Sequence, residues 1–81
     1  MNATIPFDQV EPGEEFESRE GTRHFFGMKV QEISMMATTG PDRGNLIEVN
    51  AVITRDHTKK RAADAGAHIY INPRERVIVS R

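Results

Sequence analysis

The sequence has no cysteine, which excludes disulfide bonds, thiolate zinc sites and cysteine nucleophiles and suits a reducing compartment. No apolar stretch approaches the roughly 18 to 20 residues of a membrane-spanning helix. Residues 1–8 carry neither a basic leader nor an apolar run, so a cytoplasmic location without membrane contact is expected. Asn2-Ala3-Thr4 matches a glycosylation acceptor and, without an export signal, is read as chance. Internal repeats, low-complexity tracts and serine or glycine linkers are missing too. A chain of 81 residues can bury one core and not two, so a single domain over residues 1–81 is expected.

Signatures of chemistry are equally scarce. There is no serine in a nucleophile elbow, no glycine-rich phosphate loop and no carboxylate pair placed to separate an acid from a base. His24, His57 and His68 show no ligand spacing, and no carboxylate joins one of them in a zinc pattern. The expectation is a protein that is not an enzyme and uses no metal or cofactor.

A net excess of either charge is also absent, since the chain carries 11 cations, 12 carboxylates and a net charge of -1. The distribution is nevertheless uneven. Residues 1–20 hold Asp8, Glu11, Glu14, Glu15, Glu17 and Glu20 against Arg19 alone, whereas residues 51–81 hold Arg55, Lys59, Lys60, Arg61, Arg74, Arg76 and Arg81 against Asp56, Asp64 and Glu75. Either the acidic start and basic end lie side by side and partly neutralise each other, or the asymmetry steers a charged partner to one face.

What is present is a series of short strand patterns separated by turn residues. Glu11-Pro12-Gly13-Glu14 places proline and glycine at the centre of a type II turn, which delivers the chain into a strand over 15–19 with Phe16 inward. From Arg23 the chain alternates, with His24, Phe26, Met28 and Val30 on one face and Arg23, Phe25, Gly27, Lys29 and Gln31 on the other. Phe7, Phe16 and Phe26 are assigned to the core. The apolar phase then moves to Ile33 and Met35, which requires a bulge or bend around Gln31 and Glu32. Gly27 marks either a bend or a close approach of a ligand or another backbone.

The breaker-rich stretch 40–45 predicts an exposed loop, and Leu46–Thr54 gives the clearest strand, with Ile47, Val49, Ala51 and Ile53 on its apolar side. Residues 56–66 are divided between a short glycine-capped helix and a hairpin turning at Asp56-His57. Two further strands, 67–71 and 76–80, are joined by a type I turn at Asn72-Pro73-Arg74-Glu75. Together these predict a mainly β protein, a small five-stranded antiparallel barrel or curled sheet.

The spacing Phe7-x-x-Val10-x-Pro12-Gly13-x-x-Phe16, followed by Lys29, Asn50-Ala51-Val52, Ile71-Asn72-Pro73 and Val77-Ile78-Val79, resembles that of small SH3-like β-barrel proteins from phages and prophages. The resemblance covers most of the chain. It implies an SH3-like barrel in which the opening turn feeds the first strand and the central Lys and Asn lie in successive strands. The Met36–Asn45 loop and the Arg55–Gly66 connection exceed that pattern, and a specific activity would be added there.

Three binding readings follow. Met28, Met35, Met36 and Phe25 form an apolar group that serves protein recognition if exposed and fills gaps under the bend if not. With Asp42 and Arg43 in the following loop, Phe25, Met35 and Met36 make the candidate protein-binding surface of a phage-type accessory module. Its partner would be a host or phage macromolecule, which it would modulate as an inhibitor does, or a second copy of the chain. Arg55, Lys59, Lys60, Arg61, Arg74 and Arg76 form a candidate patch for nucleic acid or phosphate, with Phe25 and Tyr70 available for stacking. Capture of a small anionic nucleotide between subunits is the third reading.

Overall fold

A computed structural model describes residues 1–19, 24–38, 40–56 and 66–81. The elements run β1 (Asn2–Pro6), a 3-10 turn (Phe7–Gln9), β2 (Glu15–Ser18), β3 (Phe25–Met36), β4 (Leu46–Asp56), β5 (His68–Ile69) and β6 (Arg76–Ser80). All six strands join one antiparallel sheet in the order β1-β6-β2-β3-β4-β5. No pairing among the described residues joins β1 to β5, so the sheet does not close into a hydrogen-bonded barrel. It holds six strands where five are predicted from sequence. The additional one is β1, whose alternation of exposed Asn2 and Thr4 with half-buried Ala3 and Ile5 is too short to stand out.

The local turn chemistry behaves as its residues dictate. Gly13 takes φ +87°, and the Glu14 N–H donates to the Glu11 carbonyl at 2.9 Å, closing the predicted turn. The Glu75 N–H donates to the Asn72 carbonyl at 2.9 Å in the second. The strands that this second turn joins are not partners: β5 pairs with β4, and β6 with β1 and β2. The alternative of a helix or hairpin over 56–66 falls, apart from its end residues, outside the described residues.

With no second layer among the described residues, the sheet buries its core by folding over its own inner face. That face carries Phe16, Phe25, Ala51, Ile53, Val77 and Val79, all buried, and the 3-10 turn and the β5–β6 connection add Phe7, Val10 and Ile71. The Phe16 ring meets Phe7 edge-on at 5.1 Å between centroids and Phe25 at 6.2 Å. The Phe7 N–H donates to Glu75 and the Asp8 N–H to Pro73, which docks the 3-10 turn onto the β5–β6 connection.

The faces of β3 are the reverse of the sequence expectation. Phe25 is 4% exposed in the core, whereas Phe26 lies half-buried on the outer face and Met28 is exposed. Register is the reason. Phe16 points inward and pairs with Gly27, so Gly27 and its alternate neighbour Phe25 must share that inward face. Gly27 is where the Phe16 ring passes, since a Cβ there would stand 2.8 Å from Phe16 Cζ. The close approach foreseen at Gly27 is therefore by the protein's own core.

The irregularity expected near Gln31 and Glu32 is present, but it does not exchange the faces. Between Lys29↔Ala51 and Ile33↔Val49, β3 advances four positions while β4 retreats two, so parity is kept. A second bulge separates Phe26↔Arg55 from Gly27↔Ile53, leaving Thr54 unpaired.

Candidate functional site

The outer face of the sheet is assembled by register. Reading across the strands, Thr4 pairs with Ile78, Ile78 with Glu17, Glu17 with Phe26 and Phe26 with Arg55. Strict alternation along β4 would put Arg55 on the side of Ile53, inside. The bulge at Thr54 turns it outward, where its guanidinium stacks over the Phe26 ring at 4.6 Å. Beside this row stand Arg19, just past β2, and Arg76 on β6. Each is two positions along the chain from the Glu17↔Ile78 pair, and both line one depression.

Glu17 is the acidic centre of this face. Its Oε2 accepts from Arg19 Nε at 2.7 Å and from His24 Nε2. The Arg19 hydrogen bond holds the Glu17 carboxyl below its ordinary value, partial burial opposes this, and His24 adds to the lowering. Among the described residues no carboxylate forms an ion pair with Arg55, Arg74 or Arg76. The acidic start and basic end of the chain do meet elsewhere. Arg81 grips Glu14 through two hydrogen bonds of 3.0 and 3.1 Å, lowering the carboxyl and raising the guanidinium.

Two shallow depressions adjoin on the outer face. One, of about 480 Å³, is lined by Arg19, Arg74 and Arg76 together with Thr4, Glu17 and Glu75 over an Ile78 floor. The other, of about 370 Å³, shares Glu17 and Ile78 and reaches Phe26, Asn2, Glu15 and Ser80. Of the predicted basic set, Arg74 and Arg76 come together here, Arg55 lies on β4 over the Phe26 ring with β2 and β3 between it and β6, and Lys59, Lys60 and Arg61 lie outside the described residues. Arg19 was missed, because its acidic neighbours in sequence hide its approach to β6. Of the two aromatics proposed for stacking, Phe25 is buried and Tyr70 is half-exposed beyond β5, so Phe26 is the aromatic of this face.

The second candidate surface is the distal half of the β3–β4 hairpin. The β2–β3 ladder ends at Glu15↔Met28, with Lys29 tied on by Gly13 and Glu14. Beyond it, Ile33–Met36 pair only with Leu46–Val49 among the described residues. This two-stranded arm exposes Ile33, Met36 (59%) and Leu46 (74%). Met35 is half-buried and lines, with Met36, Ile47 and His68, a cleft of about 270 Å³. Asp42 and Arg43 are exposed in the tip loop, where the Asn45 N–H donates to the Asp42 carbonyl. The predicted protein-binding group is thus split: Met35, Met36, Asp42 and Arg43 lie on the arm, and Phe25 is removed from it into the core.

The central Lys and Asn have structural work. Lys29 Nζ donates to the Phe7 carbonyl at 3.1 Å and sits 4.9 Å from the Phe7 ring centroid, pinning the 3-10 turn. Asn50 is bonded through both ends of its amide to Ile71. Among the described residues, no three His, Asp or Glu side chains gather in a way that would hold a metal ion, and no helix is long and apolar enough to cross a membrane.

No family model, curated protein or solved structure matches this chain.

Proposed function

We propose that this chain is a non-enzymatic binding module related to the small SH3-like barrels of phages and prophages, and that it engages another protein through the β3–β4 arm. The arm carries the reading. A two-stranded ribbon is marginal in water by itself, yet this one places exposed Ile33, Met36 and Leu46 on strands whose outer edges have no partner among the described residues. Open backbone edges accept a further strand, and flexible methionine surface adapts to an apolar partner. The partner therefore supplies an extended segment with apolar side chains, from a host or phage protein or from a second copy.

The test compares the wild-type chain with a Met36→Lys, Leu46→Lys double variant. Both side chains are exposed, so each substitution should change stability by no more than about 0.5 kcal/mol. Affinity capture with quantitative mass spectrometry, alongside sedimentation of the purified proteins, should show a partner or a self-assembly that the variant loses. If both proteins sediment as monomers and capture the same background, the arm is not a binding surface.

A further inference from the structure

We infer that the outer face of the sheet is a nucleotide-binding site, with the phosphate held by Arg74, Arg76 and Arg19 and the base resting on the adjoining Ile78–Phe26 floor. Arg19, just past β2, and Arg76 on β6 line one depression, and Arg74 enters it from the turn before β6. Like charges gathered in one place repel. Glu17 holds Arg19 and His24, and Glu75 shares the depression, yet Arg74 and Arg76 have no ion pair among the described residues, which leaves three arginines against two carboxylates. An oxyanion placed between them would relieve the repulsion, and arginine forks match phosphate geometry. The Thr4 hydroxyl, on the wall of the same depression, adds a neutral donor.

The neighbouring depression shares Glu17 and Ile78 with the first, so the two adjoin and one ligand could reach both. Its floor is apolar, from Ile78 and Phe26, and its polar rim is Asn2, Glu14, Glu15, Glu17 and Ser80. A flat base buries a face on such a floor, and carboxylate and amide oxygens accept from its exocyclic amino groups. Arg55, stacked on the Phe26 ring, is the cation next to this floor that a strand's further phosphate would meet. Free nucleotides and single-stranded nucleic acid share this chemistry, and the experiment separates them.

Binding at low salt would be measured by fluorescence anisotropy for a labelled single-stranded DNA oligonucleotide. Competition by a 5′-mononucleotide and by inorganic phosphate would be measured with it. The site predicts that the mononucleotide competes better than phosphate. Arg74→Gln with Arg76→Gln should weaken binding roughly ten-fold or more and flatten the salt dependence by about one unit of slope per phosphate contact removed. A strand source shows tighter binding by the oligonucleotide together with weakening in Arg55→Gln. A free-nucleotide source shows the mononucleotide binding as tightly as the strand and Arg55→Gln without effect. Should the double variant fail to fold, NMR titration of the wild-type chain substitutes, with shifts expected at Thr4, Arg19, Arg76 and Ile78. No binding at low salt, binding indifferent to the arginine changes, phosphate competing as well as the nucleotide, or shifts confined elsewhere would each overturn the site.

Discussion

Asn50 holds Ile71 as a neighbouring strand would. Its Oδ1 accepts from the Ile71 N–H and its Nδ2 donates to the Ile71 carbonyl, both at 2.8 Å and both buried. The ladder between β4 and β5 covers only Ala51↔Ile69 and Val52↔His68, so a side-chain amide takes the next position where backbone pairing stops. Asn50→Ala would strand one donor and one acceptor in a buried setting. The expected cost is about 2 to 4 kcal/mol, read from urea unfolding curves. A loss below 0.5 kcal/mol would show that water replaces the amide.

Gly27 is required by the Phe16 ring. In Gly27→Ala the new methyl would meet Phe16 Cζ at 2.8 Å and the Val52 carbonyl oxygen at 3.1 Å. A destabilisation of roughly 1 to 3 kcal/mol is expected from this overpacking. Combining it with Phe16→Leu should cost less than the two single changes added, because the clash is then partly removed. Strict additivity would refute the contact.

The depressed carboxyls set the acid side of the stability profile. Glu14 and Glu17 both titrate below the ordinary value of 4.5 in the folded chain, the first because of Arg81 and the second because of Arg19. A carboxyl depressed by folding contributes stability that is fully present above its unfolded value and is lost as pH falls through its folded one. Thermal midpoints should therefore be level above about pH 5 and fall below about pH 4.5. Arg81→Gln should make that fall shallower while leaving the Glu17 contribution in place. An acid limb unchanged by Arg81→Gln would remove Glu14 from the account.

The arm should open before the body of the sheet. Met28 is paired on both sides, by Glu15 and Val52, whereas Ile33–Met36 have β4 on one side only among the described residues. Amide hydrogen exchange at Ile33–Met36 should run through local opening, with protection well below that of Phe25–Met28. Equal protection in a monomer would mean that the arm is covered by the chain itself.

Much of the architecture was legible because its signals are local. Pro12-Gly13 and Asn72-Pro73 specify their turns through backbone dihedrals, and Leu46–Thr54 alternates strongly enough to fix its inner face, where Val49, Ala51 and Ile53 are buried. The candidate surfaces were legible in part. Met36, Arg74 and Arg76 reach exposed positions, while Phe25 does not, since two adjacent phenylalanines fit either parity of β3 equally well.

The sequence by itself determined that this chain makes β-strands and where most of them turn, because side-chain alternation and turn chemistry act over a few residues. Which phenylalanine lies inside, which way Arg55 faces and whether Arg19 meets Arg76 were decided only by the tertiary structure. These depend on cross-strand register, set in turn by the Phe16–Gly27 pair, the Thr54 bulge and the Glu17–Ile78 pair, and register links residues that no local pattern relates.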